Sequence, residues 1–237
     1  MHIPDGYLSP ETAVVMYGAA LPFWVVAARK VKQVLTSKMV PLLSIFAAFS
    51  FTIMMFNVPV PGGTTAHAVG GTLMAIVLGP WASIIGVSVA LLIQAVFFGD
   101  GGVTAFGANA FNMAIVLPLV GYLVYRLISG SVPATSRRRI WAGVIGSYVG
   151  ITVAALLVGI ELGIQPIFWT LPNGQALYSP YPMSVTIPAM VLAHAFGASL
   201  VEALVTGLGV AYLQRTRPAL LEEKKAVAQP VPSPMPV

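Results

Sequence analysis

Long apolar stretches, separated by short polar or Gly/Pro-rich breaks, dominate the pattern of residues along this chain. Most of them approach the roughly 20 residues that an α-helix needs to cross a bilayer, and they lack the alternation that is typical of outer-membrane β-strands. The pattern predicts an all-α polytopic membrane protein, a bundle of seven transmembrane helices. The predicted spans are residues 10–28, 39–57, 65–79, 81–98, 107–128, 140–161 and 186–213.

The number of spans depends on the third segment, which is the shortest and is separated from the fourth by Gly79 and Pro80. Merging these two segments into one kinked helix would give six spans. The 12 Lys and Arg residues favour seven, because seven spans place all of them on one side of the membrane whereas six would divide them. By the positive-inside rule, the C-terminus is then cytoplasmic and the N-terminus lies outside. The basic residues are Arg29, Lys30, Lys32, Lys38, Arg126, Arg137, Arg138, Arg139, Arg215, Arg217, Lys224 and Lys225.

The composition agrees with this architecture and excludes several functions. Of 237 residues, 57% are hydrophobic and 8% are charged, against about 25% charged in soluble domains. The net charge of +5 does not indicate nucleic-acid binding, because the basic residues lie in a few short loops. With no cysteine, the chain has no disulfide, thiolate metal site or thiol nucleophile. Because the GxxxxGKS/T, HExxH and GxSxG patterns are also missing, we predict neither an enzyme nor an ATPase site.

The N-terminus has unusual metal-binding chemistry. Its first ten residues contain Asp5 and no Lys or Arg, the reverse of a cleaved signal peptide, so we expect Met1 to be exported and retained. A Met1-His2 terminus offers an amine, an amide nitrogen and the imidazole Nδ1, which close adjacent five- and six-membered chelate rings. Such nitrogen donors suit Ni(II) or Cu(II) better than Zn(II). On the dipeptide alone, a chance histidine after the start codon is the alternative.

The other two histidines lie in predicted spans. His67 follows a Pro/Gly-rich turn that we expect to lead into a Thr-capped helix, on the same side of the membrane as Met1. The small residues around it leave room for an inserted N-terminal strand, so His67 is a candidate ligand; the alternative is a polar group bonded locally. His194 is a supporting partner, a transit site or a buried structural histidine. Glu202 lies about 80° from His194 around an ideal helix, which does not favour a shared site.

Three further polar residues cluster near an outer boundary. Asn109 and Asn112 share a helix face, and Asp100 lies in the preceding Gly-rich turn. They tie loops over a binding pocket, orient a ligating imidazole or cap the fifth span. The second role follows from the rule that a metal-bound histidine donates its other ring N–H to such an acceptor. The residues alone leave these roles open. Glu161 most simply marks the outer end of the sixth span.

The decapeptide MHIPDGYLSP at residues 1–10 resembles the N-terminal signature of the CbiM/NikM family. These proteins are the substrate-binding S components of energy-coupling-factor (ECF) transporters for cobalt and nickel. The similarity continues over most of residues 1–213. It is carried by residues 56–67 (FNVPVPGGTTAH), 97–102 (FFGDGG), 107–113 (GANAFNM) and 201–206 (VEALVT).

The resemblance implies a metal site and a set of partners. In the family the N-terminus inserts among seven helices, and the matching ligands here are the Met1 amine, the His2 amide and imidazole nitrogens and the His67 imidazole. The partners implied are a T-type transmembrane coupling protein, cytoplasmic ABC ATPases and, as an option, a small accessory N-type subunit. Residues 3–7 look more like the nickel branch, so Ni(II) is the expected substrate ion and Co(II) the second choice; no cofactor is expected.

Three regions follow from this interpretation. Residues 1–9 are the metal-chelating segment, residues 10–213 the transmembrane domain and residues 214–237 a disordered cytoplasmic tail. We expect a multi-pass protein of the prokaryotic cytoplasmic membrane. The main alternative is a self-contained secondary metal transporter or channel, which would need intramembrane carboxylates for coupling. An intramembrane enzyme or a metal sensor is the second alternative.

Overall fold

The computed structural model describes residues 1–34, 39–62 and 64–222, and it is mostly helical. Within these ranges, five helices are long and apolar enough to cross a membrane, and Met39–Met54 is a shorter apolar helix. Large apolar side chains such as Leu127, Phe196 and Leu208 are exposed on the outside of the bundle, as expected of a surface that faces lipid. The long helices are Pro10–Lys32, Pro80–Phe98, Phe106–Ser129, Arg137–Phe168 and Met183–Thr216. The protein is therefore a polytopic helical membrane protein.

Several of the long helices are composite. The elements are α1 (Pro10–Val34), α2 (Met39–Met54), β1 (Val58–Pro59), β2 (Thr65–Ala66), α3 (Gly71–Leu78), α4 (Pro80–Ile93), α5 (Phe106–Asn109), α6 (Leu117–Ser129), α7 (Arg137–Gly163), α8 (Gln165–Phe168), α9 (Met183–Ala193) and α10 (Ser199–Thr216). Three π-helical turns extend α4, join α5 to α6 and join α9 to α10; they are Gln94–Phe98, Ala110–Val116 and His194–Ala198. Such turns are rare and often mark functional sites.

Local signals explain where these helices begin. The Ser9 hydroxyl accepts the Thr12 amide at 3.1 Å and caps α1. Ser136 caps α7 through the Arg138 amide, and Pro80 occupies the first turn of α4. Glycines then allow α6 and α7 to pack closely: a Cβ at Gly146 would lie 2.5 Å from the Gly121 carbonyl oxygen.

The prediction of a helix over residues 65–79 is wrong in its first part. Val58 pairs with Ala66 in a short antiparallel hairpin, and α3 begins only at Gly71. It does not have the expected threonine cap, because Gly70 at its N-cap adopts a left-handed conformation with φ 76° and no side-chain cap. The Glu202 carboxylate accepts the Val69 and Gly70 amides instead. His67 consequently lies in an extended segment before the helix.

The C-terminal prediction also needs correction in its described part. Residues 214–216 continue α10, and Pro218–Leu221 forms a 3₁₀-helix. Leu221 is buried, and its carbonyl accepts Arg139 Nη1 at 3.1 Å. Because these residues pack on the bundle, the disordered tail cannot begin at residue 214. The prediction for residues 223–237 lies outside the described residues.

The N-terminal segment enters the core of the bundle. Met1 and Ile3 are completely buried and His2 is 3% exposed. Met1 and Ile3 pack in the largest apolar cluster together with residues of α2, α4, α7 and α9. The first three residues are therefore part of the folded interior.

Candidate metal site at the buried N-terminus

Backbone hydrogen bonds fix the third residue of the chain. The Ile3 amide donates to Asn109 Oδ1 at 2.8 Å, and Asn109 Nδ2 donates to the Ile3 carbonyl at 3.0 Å. The Gly102 amide adds a second donor to this carbonyl at 2.9 Å. The carboxamide of Asn109 thus satisfies both backbone groups of Ile3, as a neighbouring β-strand would. This contact holds the two preceding residues inside the bundle.

Asp5 attaches the N-terminal segment to the loop that precedes α5. Its carboxylate accepts the Thr104 amide at 2.8 Å, the Val103 amide at 3.2 Å and the Thr104 hydroxyl. Burial by itself raises the pKa of Asp5, but these hydrogen bonds outweigh it and hold the pKa below its usual value. Asp5 is therefore ionised at neutral pH.

Gly102 lies directly against this contact. A Cβ at Gly102 would be 2.5 Å from the Asp5 amide nitrogen, which is too close for any side chain. We therefore expect Gly102→Ala to displace the N-terminal segment and to destabilise the fold by about 1–3 kcal/mol, as overpacking does. Gly18→Ala is the matched control, since a Cβ there meets nothing within 4 Å. Thermal unfolding measures the effect; equal melting temperatures for the two variants would contradict this packing.

The Met1 amine is held as a neutral donor. It donates to the Thr65 carbonyl and to Thr65 Oγ1, the latter at 3.1 Å. Burial lowers the pKa of this amine well below its usual value of 8.0, and the Asp100 carboxylate opposes the shift only in part. A neutral amine that donates both of its hydrogens to Thr65 keeps its lone pair for another partner.

Gln94 selects the tautomer of His2. Its carboxamide oxygen lies 3.2 Å from His2 Nε2, while its amide nitrogen points towards the Phe51 carbonyl and Met55 Sδ. Because the oxygen only accepts, we assign the proton to Nε2 and the lone pair to Nδ1. No described residue hydrogen-bonds to this buried Nδ1, although Asp100 Oδ1 lies 3.4 Å away. Burial, the largest cause, lowers the pKa of His2 to about 3, so its ring is neutral.

His67 presents its second ring nitrogen in the same way. Its Nδ1 lies 3.1 Å from the Ala68 carbonyl, which can only accept, so Nδ1 carries the proton. Its Nε2 is buried and has no hydrogen-bond partner in the described part of the chain. The His67 and His2 rings stack, with centroids 4.6 Å apart and planes inclined by 24°. Two imidazole rings, each with one buried nitrogen that has no hydrogen-bond partner among the described residues, thus lie side by side next to the amine.

Side chains alone do not make this a metal site. Across residues 1–34, 39–62 and 64–222, no group of three or more His, Asp and Glu side chains is arranged to hold a metal ion. The further nitrogen atoms beside His2 and His67 are those of the terminus, namely the Met1 amine and the His2 amide.

Of the remaining candidate residues, Asp100 and Asn109 contact the N-terminal segment, whereas the hydrogen bonds of Asn112 and His194 lie elsewhere in the bundle. Asp100 lies beside His2, and Asn109 holds Ile3, so Asn109 neither caps the fifth helix nor orients an imidazole. Asn112 lies elsewhere: its amide donates to the Glu161 carboxylate at 2.8 Å. His194 is buried, and its Nδ1 lies 2.7 Å from the Met190 carbonyl.

Sequence reasoning missed Gln94 and Thr65. The signal for Gln94 was a lone carboxamide inside an apolar span, at the first residue of a π-helical turn. The sequence predicts a helix start at Thr65, whereas Thr65 lies in β2, and this strand places its carbonyl and hydroxyl beside the amine.

Comparison with known proteins identifies the family of this chain. The model of the CbiM family, described as the cobalt uptake substrate-specific transmembrane region, matches residues 2–220. The chain belongs to the CbiM family. The fused nickel transport protein NikMN of Rhodobacter capsulatus is 53% identical over 97% of this CbiM-family chain. A putative metal transport protein of Methanocaldococcus jannaschii is 46% identical over 95% of this chain and 96% of its own length.

A solved structure shares the fold of this CbiM-family chain. The crystal structure of a truncated transition metal transporter superposes with a TM-score of 0.86 at 54% identity. The match covers 91% of this chain and 99% of the other. The chain spans only 66% of the length of the Rhodobacter capsulatus fused protein. It is a multi-pass membrane protein of a prokaryotic transport family.

Proposed function

We propose that this chain is the metal-capturing S component of an ATP-driven ECF-type importer of Ni(II), with Co(II) as the second choice. The observation that carries the proposal is the buried N-terminus, where a neutral amine and two unpartnered imidazole nitrogens lie together. The Met1 amine, the His2 amide nitrogen, His2 Nδ1 and His67 Nε2 would be the four donors. Four nitrogens in a tetragonal arrangement suit Ni(II) better than Zn(II).

The electrostatics of the site support capture of a divalent ion. The amine and both imidazoles are neutral, and the metal displaces the proton of the His2 amide, so the complex carries one net positive charge. Asp100, with Oδ1 3.4 Å from His2 Nδ1, supplies the compensating negative charge. Since binding releases the amide proton, the affinity should fall as the pH drops.

The wider assembly is part of the same proposal. Seven spans would place the N-terminus outside and every basic residue on the cytoplasmic side. The energy would come from cytoplasmic ABC ATPases through a T-type membrane protein, with an accessory N-type subunit as a further partner. The names of the relatives support transport of nickel or a related metal.

Gln94 is expected to set the affinity without touching the metal. Gln94→Leu removes the acceptor that keeps the proton on His2 Nε2, and we expect the Ni(II) affinity to fall about 10–100-fold, as for other residues that orient a ligand. Gln94→Glu keeps an acceptor for the Nε2 proton, so this variant should keep most of the native Ni(II) affinity. Gln214→Leu is the control, because Gln214 bonds the Ala134 and Ser136 carbonyls far from the site. Calorimetric titration with Ni(II) measures all three; equal affinity for Gln94→Leu and Gln214→Leu would disprove the role of Gln94.

A metal series tests the proposed function. Detergent-purified full-length chain is titrated by calorimetry with Ni(II), Co(II), Cu(II) and Zn(II). We expect one tight equivalent of Ni(II), weaker Co(II), and Cu(II) at least as tight as Ni(II) because of the Irving–Williams order. Zn(II) should bind less tightly than Ni(II) because it prefers a tetrahedral site. Tighter binding of Zn(II) than of Ni(II), or no tight equivalent of Ni(II), would overturn the proposal.

A further inference from the structure

His67 lies in a short segment that joins a strand to a helix. β2 ends at Ala66 and α3 begins at Gly71, so residues 67–70 belong to neither element. All four residues are buried. Backbone amides and carbonyls that are buried outside helices and sheets need partners from elsewhere in the chain. The orientation of the His67 ring therefore depends on the groups that hold this segment.

Glu202 of α10 supplies two of these contacts. Its Oε2 accepts the Val69 amide at 2.7 Å and the Gly70 amide at 2.8 Å, and its side chain is completely buried. Hydrogen bonds to a charged acceptor are roughly twice as strong as those between neutral groups. The carboxylate also lies at the N-terminus of α3, where a negative charge is favourable. Glu202 thus holds the backbone just after His67.

Two contacts with α2 fix the same stretch of backbone. The Ser50 hydroxyl donates to the Val69 carbonyl at 2.7 Å. Gly70 is left-handed, with φ 76°, and a Cβ there would lie 2.7 Å from Phe49 Cε1. Val69 is therefore held at its amide by Glu202 and at its carbonyl by Ser50. This leaves the segment little freedom to turn.

A single peptide group joins Glu202 to His67. The Val69 amide, which donates to Glu202, and the Ala68 carbonyl, which lies 3.1 Å from His67 Nδ1, belong to the same peptide unit. A trans peptide is planar, so its N–H and C=O point in opposite directions. Binding of the N–H by Glu202 therefore directs the carbonyl towards the His67 ring. Hydrogen bonds in such a chain also polarise one another.

This chain of hydrogen bonds matches the usual surroundings of a metal-bound histidine. Such a histidine donates its second ring N–H to a carboxylate or a backbone carbonyl, which fixes the tautomer and makes the ligating nitrogen more basic. Here a carbonyl and a carboxylate act in series on His67. His194 is the comparison within the chain, because its Nδ1 lies 2.7 Å from the Met190 carbonyl, which belongs to α9.

We propose that Glu202 is a positioning residue for metal capture: through the Ala68–Val69 peptide group it holds the His67 imidazole with Nδ1 protonated and Nε2 available to the metal ion. The inference rests on the proposed function, because it treats His67 as a ligand. Glu202 does not touch the ion in this proposal. It acts by orienting the ring that stacks on His2 and by raising the basicity of Nε2.

Calorimetric titration of the purified full-length chain with Ni(II) tests the role of Glu202. Glu202→Leu removes the acceptor, so we expect the Ni(II) affinity to fall about 10–100-fold. Glu202→Gln keeps an oxygen for the Val69 and Gly70 amides and should lose less than about 10-fold. Glu161→Leu is the matched control, because Glu161 is also a buried glutamate but bonds Asn112. Equal Ni(II) affinity for Glu202→Leu and Glu161→Leu would overturn the inference.

Combination with His67→Ala separates positioning from a general structural role. If Glu202 acts through His67, adding Glu202→Leu to His67→Ala should change the remaining Ni(II) affinity by less than about 3-fold. If Glu202 only stabilises the bundle, the loss should be the same with and without His67. Equal losses in the two backgrounds would therefore contradict the positioning role.

Nuclear magnetic resonance of the metal-free chain examines the ring directly. The chain has 3 histidines, so labelling them with nitrogen-15 gives few ring signals, which histidine-to-alanine variants assign. In Glu202→Gln a neutral carboxamide polarises the Ala68–Val69 peptide less, so the His67 Nδ1–H resonance should shift upfield while that of His194 stays in place. An unchanged His67 resonance would overturn the inference, whether or not the leucine variant folds.

The outcomes distinguish this inference from the proposed function. If the native chain does not bind Ni(II) tightly, the proposed function fails, and the resonance of the metal-free protein still decides whether Glu202 orients His67. If the native chain binds Ni(II) tightly but Glu202→Leu behaves like Glu161→Leu, only the role of Glu202 is disproved.

Discussion

A Gly-Pro dipeptide added before Met1 should abolish high-affinity Ni(II) binding. The addition converts the Met1 amine into an amide and moves the new amine about 7 Å along the chain. Proline has no amide hydrogen that a metal could displace, so the new terminus does not form a chelate of its own with His2, as a single added glycine would. Met1 is completely buried against Thr65, so the extra residues cannot occupy the position of the present amine. We expect a loss of more than about 100-fold, beyond what residues that merely orient a ligand contribute.

The control for this change is the same Gly-Pro dipeptide added after Val237. It alters the length and composition equally but leaves the N-terminus free, so its Ni(II) affinity should equal that of the native chain. Calorimetric titration of both purified proteins gives the comparison. If the N-terminally extended chain binds Ni(II) as tightly as the native one, the terminal amine is not a ligand.

The second large effect is expected for His67→Ala. The substitution removes the nitrogen that lies beside the His2 ring and leaves the fourth metal position to water. We expect the Ni(II) affinity to fall by more than about 100-fold, and the visible spectrum of the bound ion to change because a weaker oxygen donor replaces an imidazole. Titration and absorption spectroscopy on the same sample measure both effects.

His194→Ala is the matched control for His67→Ala. Both substitutions remove a completely or almost completely buried histidine whose Nδ1 lies within hydrogen-bonding distance of a backbone carbonyl. Only His67 belongs to the proposed N-terminal site, so His194→Ala should keep the tight binding of one Ni(II) and the visible spectrum of the bound ion. An unchanged spectrum and affinity in His67→Ala would remove His67 from the ligand set.

The sequence predicted the candidate ligands because their chemistry is local. Met1 and His2 are adjacent, so their chelate geometry follows from covalent structure alone. The placement of His67 beside them depended on the small residues around it and on the family resemblance, and the stacked rings confirm their proximity. Their role as metal ligands stays a prediction.

The residues that support these ligands could not be predicted, because their contacts are long-range. Gln94 meets His2 across 92 positions of the chain, and Asn109 meets Ile3 across 106. Neither pairing has a local signature beyond a polar side chain in an apolar helix. Asn109 was recognised as a candidate, but its backbone contact with Ile3 emerged only from the fold.

The errors in the fold prediction have specific physical causes. The apolar, uncharged sequence before α3 predicts a helix, yet the amides of Val69 and Gly70 in this segment bond the distant Glu202 carboxylate. The 80° between His194 and Glu202 holds for a regular α-helix, whereas a π-helical turn lies between them. Hydrophobic periodicity reveals neither a long-range cap nor a π-helical turn.

X-ray absorption spectroscopy at the nickel edge of the purified chain, loaded with one equivalent of Ni(II), tests the central claim most directly. The buried-terminus chelate predicts four nitrogen donors in a planar arrangement, with imidazole scattering from two rings and no sulfur ligand. A six-coordinate, oxygen-rich spectrum would contradict it, because such an ion would be bound by carboxylates and water rather than by the Met1-His2 terminus and His67.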